Sequence, residues 1–281
     1  MKIAISGSTG FIGKRLTAKF IEKNIEVISI KRDDLLLSIE DLSKKIEGVD
    51  VIINLAGAPI AARWNESYKQ LLVSSRIEST EKLVSAINYL KIKPNIFIST
   101  SAIGIYDTIG IHTEQSVNYG GNFLSDLCIN WEQEALKAQT RTAIFRLSVV
   151  LDKNEGALPK MLLPFKLGLG GKIGNGKQHF SWIAIEDLIN AYLFIIERKD
   201  LSGIFNLSSL QPINNIELTK VIGKTLKRPT LFTVPTFILK LLYGEGAGVI
   251  TEGQAVIPES LLNNGFVFLY DSIQKYFNTF N

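Results

Sequence analysis

The chain has 281 residues, 46% of them apolar and 21% charged, with a formal net charge of +4, two histidines and one cysteine. These are the proportions of an ordinary globular protein, long enough for one large α/β unit or two packed domains. They exclude an internal disulfide framework, because Cys128 has no partner, and the scattered lysines and arginines exclude the clustered basic footprint that nucleic acid needs.

The chain opens almost at once on an apolar run, Lys2–Ser6 (KIAIS), which predicts a buried strand with no signal or transit peptide ahead of it. Helical periodicity follows over Lys14–Lys23, then a second strand over Glu26–Lys31, a short helix over Glu40–Ile46 and a third strand over Val49–Leu55. A long helix is expected over about Asn65–Leu90, where Leu72, Ile77, Leu83, Val84 and Ile87 recur near a 3.6 period. Asn95–Ser99 and Thr142–Val150 read as further strands, with a helix over Leu124–Ala138 between them. This alternation predicts an α/β fold, a Rossmann-type doubly wound parallel sheet.

The texture changes beyond Leu151. Gly168–Gln178 is a glycine-rich loop, Ile185–Glu197 is helical, and Gly203–Ser208 returns to strand. Helical patterns then recur at Glu217–Leu226, Thr236–Leu242 and Ile273–Phe280. The expected division is a nucleotide-binding domain over 1–160, with later strands returning to it near 203–208, and a smaller α+β substrate-side region over 161–281. The most apolar late run, VPTFILKLLYGEGAGVI, is broken by Lys240, Glu245 and glycines, so no membrane span is expected. A reducing, cytoplasmic setting suits the single thiol, which reads as a small core residue rather than a nucleophile. His112 and His179 lie far apart and no ligand spacing suggests a metal site.

Directly after the first strand comes GSTGFIG, with Gly7, Gly10 and Gly13 opening a helix and Thr9, Phe11 and Ile12 between them. Glycines at this spacing permit a tight turn and close approach of a diphosphate to the helix N-terminus, so the segment is a candidate dinucleotide site. The second strand ends with Lys31 and Arg32 before Asp33. Basic residues at that edge accommodate a 2′-phosphate, whereas an acid would bond a 2′-hydroxyl, so NADP(H) is the expected cofactor.

GSTGFIG, INLAG (Ile53–Gly57), STSAIGIY (Ser99–Tyr106) and RLSVVL (Arg146–Leu151) fall in the order of the extended short-chain dehydrogenase/reductases. SSRIEST (Ser74–Thr80), FLSDLCINWE, LPFKLGLGGKIGNGKQHFSWI (Leu163–Ile183) and EGQAVIPESLLNNGFVF (Glu252–Phe268) resemble more narrowly its atypical "epimerase family" branch, which has a C-terminal domain of unassigned function. The resemblance covers nearly the whole chain. It implies that Leu55, Ala56 and Gly57 pass under the adenosine and diphosphate. It further places Ser99 and Thr100 near the nicotinamide ribose, Val150 beside the nicotinamide, and Arg76 where an asparagine near the cofactor is usual.

The same resemblance exposes two departures. The family's acid/base is a Tyr with a Lys four residues on, and counting back from Glu132 puts Leu124 and Cys128 at those positions; a shift by one gives Phe123 and Leu127. No apolar side chain transfers a proton. Ser101 remains at the position of the substrate-orienting hydroxyl, and Tyr106 is the nearest candidate phenol, so these two are the expected catalytic residues. The alignment also makes Leu124 and Cys128 face the cofactor, so that Cys128→Lys would be tolerated. On the substrate side, Phe180 replaces the arginine that binds a sugar-nucleotide diphosphate and Ala184 replaces a usual histidine. That weakens a nucleotide-sugar reading and leaves Gln178, His179, Ser181 and Trp182 as pocket lining, or Trp182 as core. Two functions are consistent with these residues: an NADP(H)-dependent oxidoreductase or epimerase on an unidentified small molecule, and a non-catalytic NADP(H)-binding sensor or scaffold. The expected partner is a small-molecule substrate; no nucleic acid or membrane is expected, and a homodimer stays open.

Overall fold

Apolar runs without alternation make strands that are covered on both faces, and six of them build the central sheet: β1 (Lys2–Ser6), β2 (Glu26–Ile30), β3 (Val51–Asn54), β4 (Ile96–Ala102), β5 (Thr142–Leu147) and β6 (Gly203–Leu207). Their order across the sheet is β6-β5-β4-β3-β1-β2, and every neighbouring pair is parallel. The structure, a computed structural model, describes residues 1–280.

Successive side chains along a strand point to opposite faces, and each face has its own core. Ile3 and Ile5 of β1, Ile53 and Ile98 pack with Leu16 and Phe20 of α1 (Phe11–Glu22). Ala4, Ile52, Phe97 and Ile144 face the other way, onto Leu42 of the helix α2 (Ile39–Lys45) and onto Leu83 and Ile87 further along. Leu16 and Phe20 are fully buried, each worth about 1.5–3 kcal/mol of transfer free energy. Strand order reverses between β1 and β3, so the crevice of an open α/β sheet opens at their carboxyl ends.

The long helix expected over 65–90 is three pieces. α3 (Glu66–Val73) starts at Asn65, whose side chain accepts the Tyr68 N–H at 2.8 Å. A π-helical turn, Ser74–Glu78, follows, and α4 (Ser79–Tyr89) resumes normal winding. Apolar spacing tolerates one wide turn, so the periodicity carries no trace of it. α5 (Phe123–Ala135) is capped by Asn122, which accepts the Ser125 N–H at 3.0 Å.

The strand expected over Thr142–Val150 breaks at Ser148, whose hydroxyl donates to the Leu207 carbonyl at 2.7 Å. Val149–Leu151 then leaves the sheet and pairs with Trp182–Ala184. α6 (Leu158–Lys166) and α8 (Asn215–Leu226) enclose a third core of Leu158, Leu162, Trp182, Leu218, Ile222 and Tyr276. Between these two helices in sequence, α7 (Ile185–Glu197) packs under the sheet and delivers the chain to β6. Leu261 and Phe266 of the tail return to the same sheet core. Within the glycine-rich loop, Gly171–Ile173 pairs with Phe232–Val234 so closely that a Cβ on Gly171 would stand 1.9 Å from the Phe232 oxygen. No helix among the described residues is long and apolar enough to cross a membrane.

Candidate functional site

The β1–α1 turn has no room for side chains. Gly7 adopts φ +72°, and a Cβ there would lie 2.8 Å from the Leu55 carbonyl oxygen; a Cβ on Gly13 would lie 2.3 Å from the Gly7 oxygen. The turn is therefore pressed against the exit of β3, with Thr9 and Gly10 exposed and Phe11 and Ile12 half-buried. α1 has Gly10 as N-cap, no side chain capping it and no acid in its first turn. Its free N–H groups and positive dipole end thus face outward without a competing anion, which is the electrostatic setting for a phosphate.

Beside this turn, the Ser8 and Ser29 hydroxyls share a hydrogen bond of 2.5 Å. Lys31 and Arg32 are exposed at the end of β2, and neither forms an ion pair among the described residues. Asp34 accepts the Lys31 N–H at 2.6 Å and pairs with Lys45 at 2.6 Å.

At the exit of β3, Leu55 and Ala56 are half-buried and Gly57 is exposed. The following peptide is held from both sides by the π-helical turn. Ser75 Oγ accepts the Ala58 N–H at 3.0 Å, and Arg76 donates to the Ala58 carbonyl at 2.8 Å. Ser99 is buried within β4 with no partner for its hydroxyl among the described residues, and Thr100 shares a 3.1 Å hydrogen bond with the buried Tyr192. Val150 is 9% exposed, in the sheet core. The loop after it is tied to α1 through an Arg15–Asp152 ion pair, while Asp152 also accepts the Asn154 and Glu155 N–H groups.

The two expected catalytic residues do not face an open cleft. Ser101 is buried and its hydroxyl donates to Glu132 at 2.6 Å. Tyr106 is fully buried: its hydroxyl donates to Asn206 at 2.9 Å and accepts from Arg146 at 2.7 Å. Burial raises the Tyr106 pKa, with Arg146 opposing. Each hydroxyl is thus engaged in a buried network in this structure. Glu132 and Arg146 form the centre of that network, joined by Nε–Oε1 and Nη2–Oε2 bonds of 2.8 and 2.7 Å. Burial disfavours the Arg146 charge, but Glu132 overrides it and raises the pKa. The sequence signal for this pair was Arg146 itself, a charge inside the apolar run TAIFRL, which demands a buried partner.

Leu124 and Cys128 also depart from the cofactor-facing expectation. Leu124 lies over Gly104, where a Cβ would meet its Cδ2 at 2.5 Å. Cys128 is 1% exposed and packed with Ile103, Ile105, Tyr106 and Val256. Burial pushes its thiol up to about 12. This position belongs to the core, because α5 turns its Ser125–Cys128–Glu132 side inward onto the end of β4.

On the substrate side, a cavity of about 540 Å³ is lined by Thr108, Lys177, Gln178, His179, Thr236 and Glu252, among others. Ser181 is not part of it: its hydroxyl donates to the Gln254 carbonyl at 2.8 Å and accepts the Val256 N–H. Trp182 belongs to the third core, its ring centroid 5.6 Å from that of Tyr276.

Comparison with known proteins identifies relatives over nearly the whole chain. Residues 3–208 match the model of the NAD dependent epimerase/dehydratase family, and residues 234–279 match a domain of unknown function, DUF1731. The chain is 34% identical over 295 residues to the chloroplastic epimerase family protein SDR39U1 homolog of Arabidopsis thaliana, covering 98% of this chain and 85% of that protein. It is 33% identical to the epimerase family protein YfhF of Bacillus subtilis, covering 98% and 96%. The crystal structure of human epimerase family protein SDR39U1 (isoform2) with NADPH superposes with a TM-score of 0.91 at 30% identity, covering 99% of this chain and 98% of that one. A UDP-glucuronic acid 4-epimerase from Bacillus cereus in complex with NAD shares the fold, with a TM-score of 0.77 at 17% identity.

Proposed function

The chain belongs to the NAD dependent epimerase/dehydratase family, and on that basis we propose that it binds NADP(H) and acts as an oxidoreductase or epimerase on an unidentified small molecule. The observation that carries this reading is the side-chain-free cradle at Gly7 and Gly13, set against β3 below the uncapped start of α1. A cofactor bound there supplies hydride transfer. The N–H groups of the turn would hold the diphosphate, and the free Lys31 and Arg32 would hold a 2′-phosphate. Leu55, Ala56 and Gly57 would run beneath it, with Ser99 and Val150 toward the nicotinamide. The NADPH of the human relative supports the same choice. The substrate would occupy the polar cavity beside His179 and Lys177.

One observation favours a second reading, a non-catalytic NADP(H)-binding sensor or scaffold. Ser101 and Tyr106 are both held in buried hydrogen bonds, Leu124 has no ionisable proton, and the Cys128 thiol is enclosed in an apolar cluster. Calorimetric titration with NADPH tests the binding. Anaerobic incubation of the loaded protein with a metabolite pool, following reduced-nicotinamide absorbance, separates the two functions. Tight binding with no oxidation across a broad pool supports the sensor; no binding removes both.

A further inference from the structure

Arg76 stands in the middle of the Ser74–Glu78 π-helical turn, and wide turns of this kind recur at functional sites because the extra residue re-aims the side chains around it. Its guanidinium lies against Gly57: a Cβ built there would be 3.1 Å from Cζ and 3.2 Å from Nη2. On another side its Cζ is 5.4 Å from the Trp131 ring of α5. Cys128 stands one turn earlier on the same helix. Arg76 therefore bridges the exit of β3 and the α5 stretch where the family's lysine would stand.

Its donors are mostly unmet. A guanidinium carries five N–H donors, yet Arg76 makes one bond of ordinary length, to the Ala58 carbonyl, and one long bond of 3.4 Å to Leu72. Arg15, Arg146 and Arg198 each pair with a carboxylate, whereas Arg76 has no such partner among the described residues. It is half-buried, and burial pulls its pKa down from the ordinary arginine value. A guanidinium stays charged even so, and a partly desolvated charge with free donors is costly until oxygen atoms meet it.

We propose that Arg76 is the cation of the reacting end, replacing the missing lysine, and that it binds the oxygen atoms of the nicotinamide-riboside half of NADP(H). This rests on the NADP(H) reading above. Arg76 is a binding and positioning residue, since a guanidinium does not give up its proton near neutral pH.

The test compares NADPH with adenosine 2′,5′-bisphosphate, which keeps the 2′-phosphate end and lacks the nicotinamide riboside, by calorimetry on the full chain. Arg76→Gln retains a donor for the Ala58 carbonyl and removes the charge. The expected result is a loss of NADPH affinity of about tenfold or more, an unchanged bisphosphate affinity and an unchanged melting temperature. Arg76→Lys should recover part of the NADPH affinity and lose it again at alkaline pH, as the lysine deprotonates. Unchanged NADPH affinity in Arg76→Gln, or an equal loss with both ligands, overturns the assignment. An unmodified protein that binds neither ligand overturns the cofactor reading itself, and this inference with it.

Discussion

Ser101 donates its hydroxyl proton to Glu132 Oε1 at 2.6 Å, and the same oxygen takes the Nε–H of Arg146 at 2.8 Å. Glu132 is thus the hub of a buried chain that runs through Arg146 and Tyr106 to Asn206 on β6. Removing the hub's charge leaves a buried guanidinium unpaired. Glu132→Gln should therefore destabilise the protein by about 3–5 kcal/mol, read as a lower denaturation midpoint. Ser101→Ala should cost less, about 1 kcal/mol, because Arg146 still satisfies both carboxylate oxygens.

Tyr106→Phe separates a structural phenol from a proton donor. It removes the partners of one Arg146 N–H and of the Asn206 side-chain carbonyl, at a cost of about 1–3 kcal/mol. NADPH affinity should be unchanged. A variant of undiminished stability that has lost an NADPH-dependent turnover would restore Tyr106 as an acid.

Cys128 is enclosed and its thiol is pushed up to about 12, so the thiolate population at neutral pH is negligible. Aromatic disulfide reagents should leave it unmodified in the native protein and label it once the protein unfolds in denaturant. Cys128→Lys should cost several kcal/mol, and adding NADP(H) should not recover the loss. Full stability in that variant would return α5 to the cofactor-facing orientation.

Asp187 is 1% exposed and accepts the Leu269 and Tyr270 N–H groups at 2.6 and 3.1 Å. Burial raises its pKa from 3.8 to about 6, against the pull of those two N–H groups, with Glu186 adding to the rise and Lys275 opposing it. The folded state therefore binds the proton more tightly than the unfolded chain. Between about pH 4 and pH 6 the native state holds more protons, so Asp187's contribution falls as pH rises through that window. Asp187→Asn should flatten this part of the stability profile, measured by thermal unfolding in a buffer series. An unaltered slope would show that the carboxyl is ionised throughout.

The free Lys31 and Arg32 at the end of β2 should favour NADPH over NADH. Replacing both by alanine should weaken NADPH binding by about 1.5–3 kcal/mol for each charge-assisted hydrogen bond to the phosphate that is removed, while NADH affinity stays level. Calorimetry with both cofactors decides the matter. Equal affinities in the unmodified protein would leave the two side chains as ordinary surface residues.

The parallel sheet was legible because fully buried strands advertise themselves as unbroken apolar runs: β1 begins and ends where KIAIS does. The glycine turn was legible for a related reason, since its geometry forbids other residues. What could not be read was who meets whom across the chain. Ser101 and Glu132 are 31 positions apart, and Tyr106 and Asn206 are 100 apart. Local spacing says nothing about such pairs, so Ser101 and Tyr106 read as available when their hydroxyls were already committed. Cys128 was placed by alignment with helices that carry a lysine, but a thiol has no need of the water or ribose that a lysine requires. α5 could then turn that position inward.

Leu261 and Phe266, late in the sequence, complete the apolar core beneath a sheet whose strands all lie before residue 208. The two family-matched segments are accordingly not interchangeable modules. A chimera that kept the first segment and took its tail from a distant relative would have to preserve the fit of both side chains, including the edge-on packing of Phe266 against Phe194 of α7, or leave an exposed apolar seam. Sequence drift in the tail is constrained by the sheet it covers, and engineering of either segment has to be done on both.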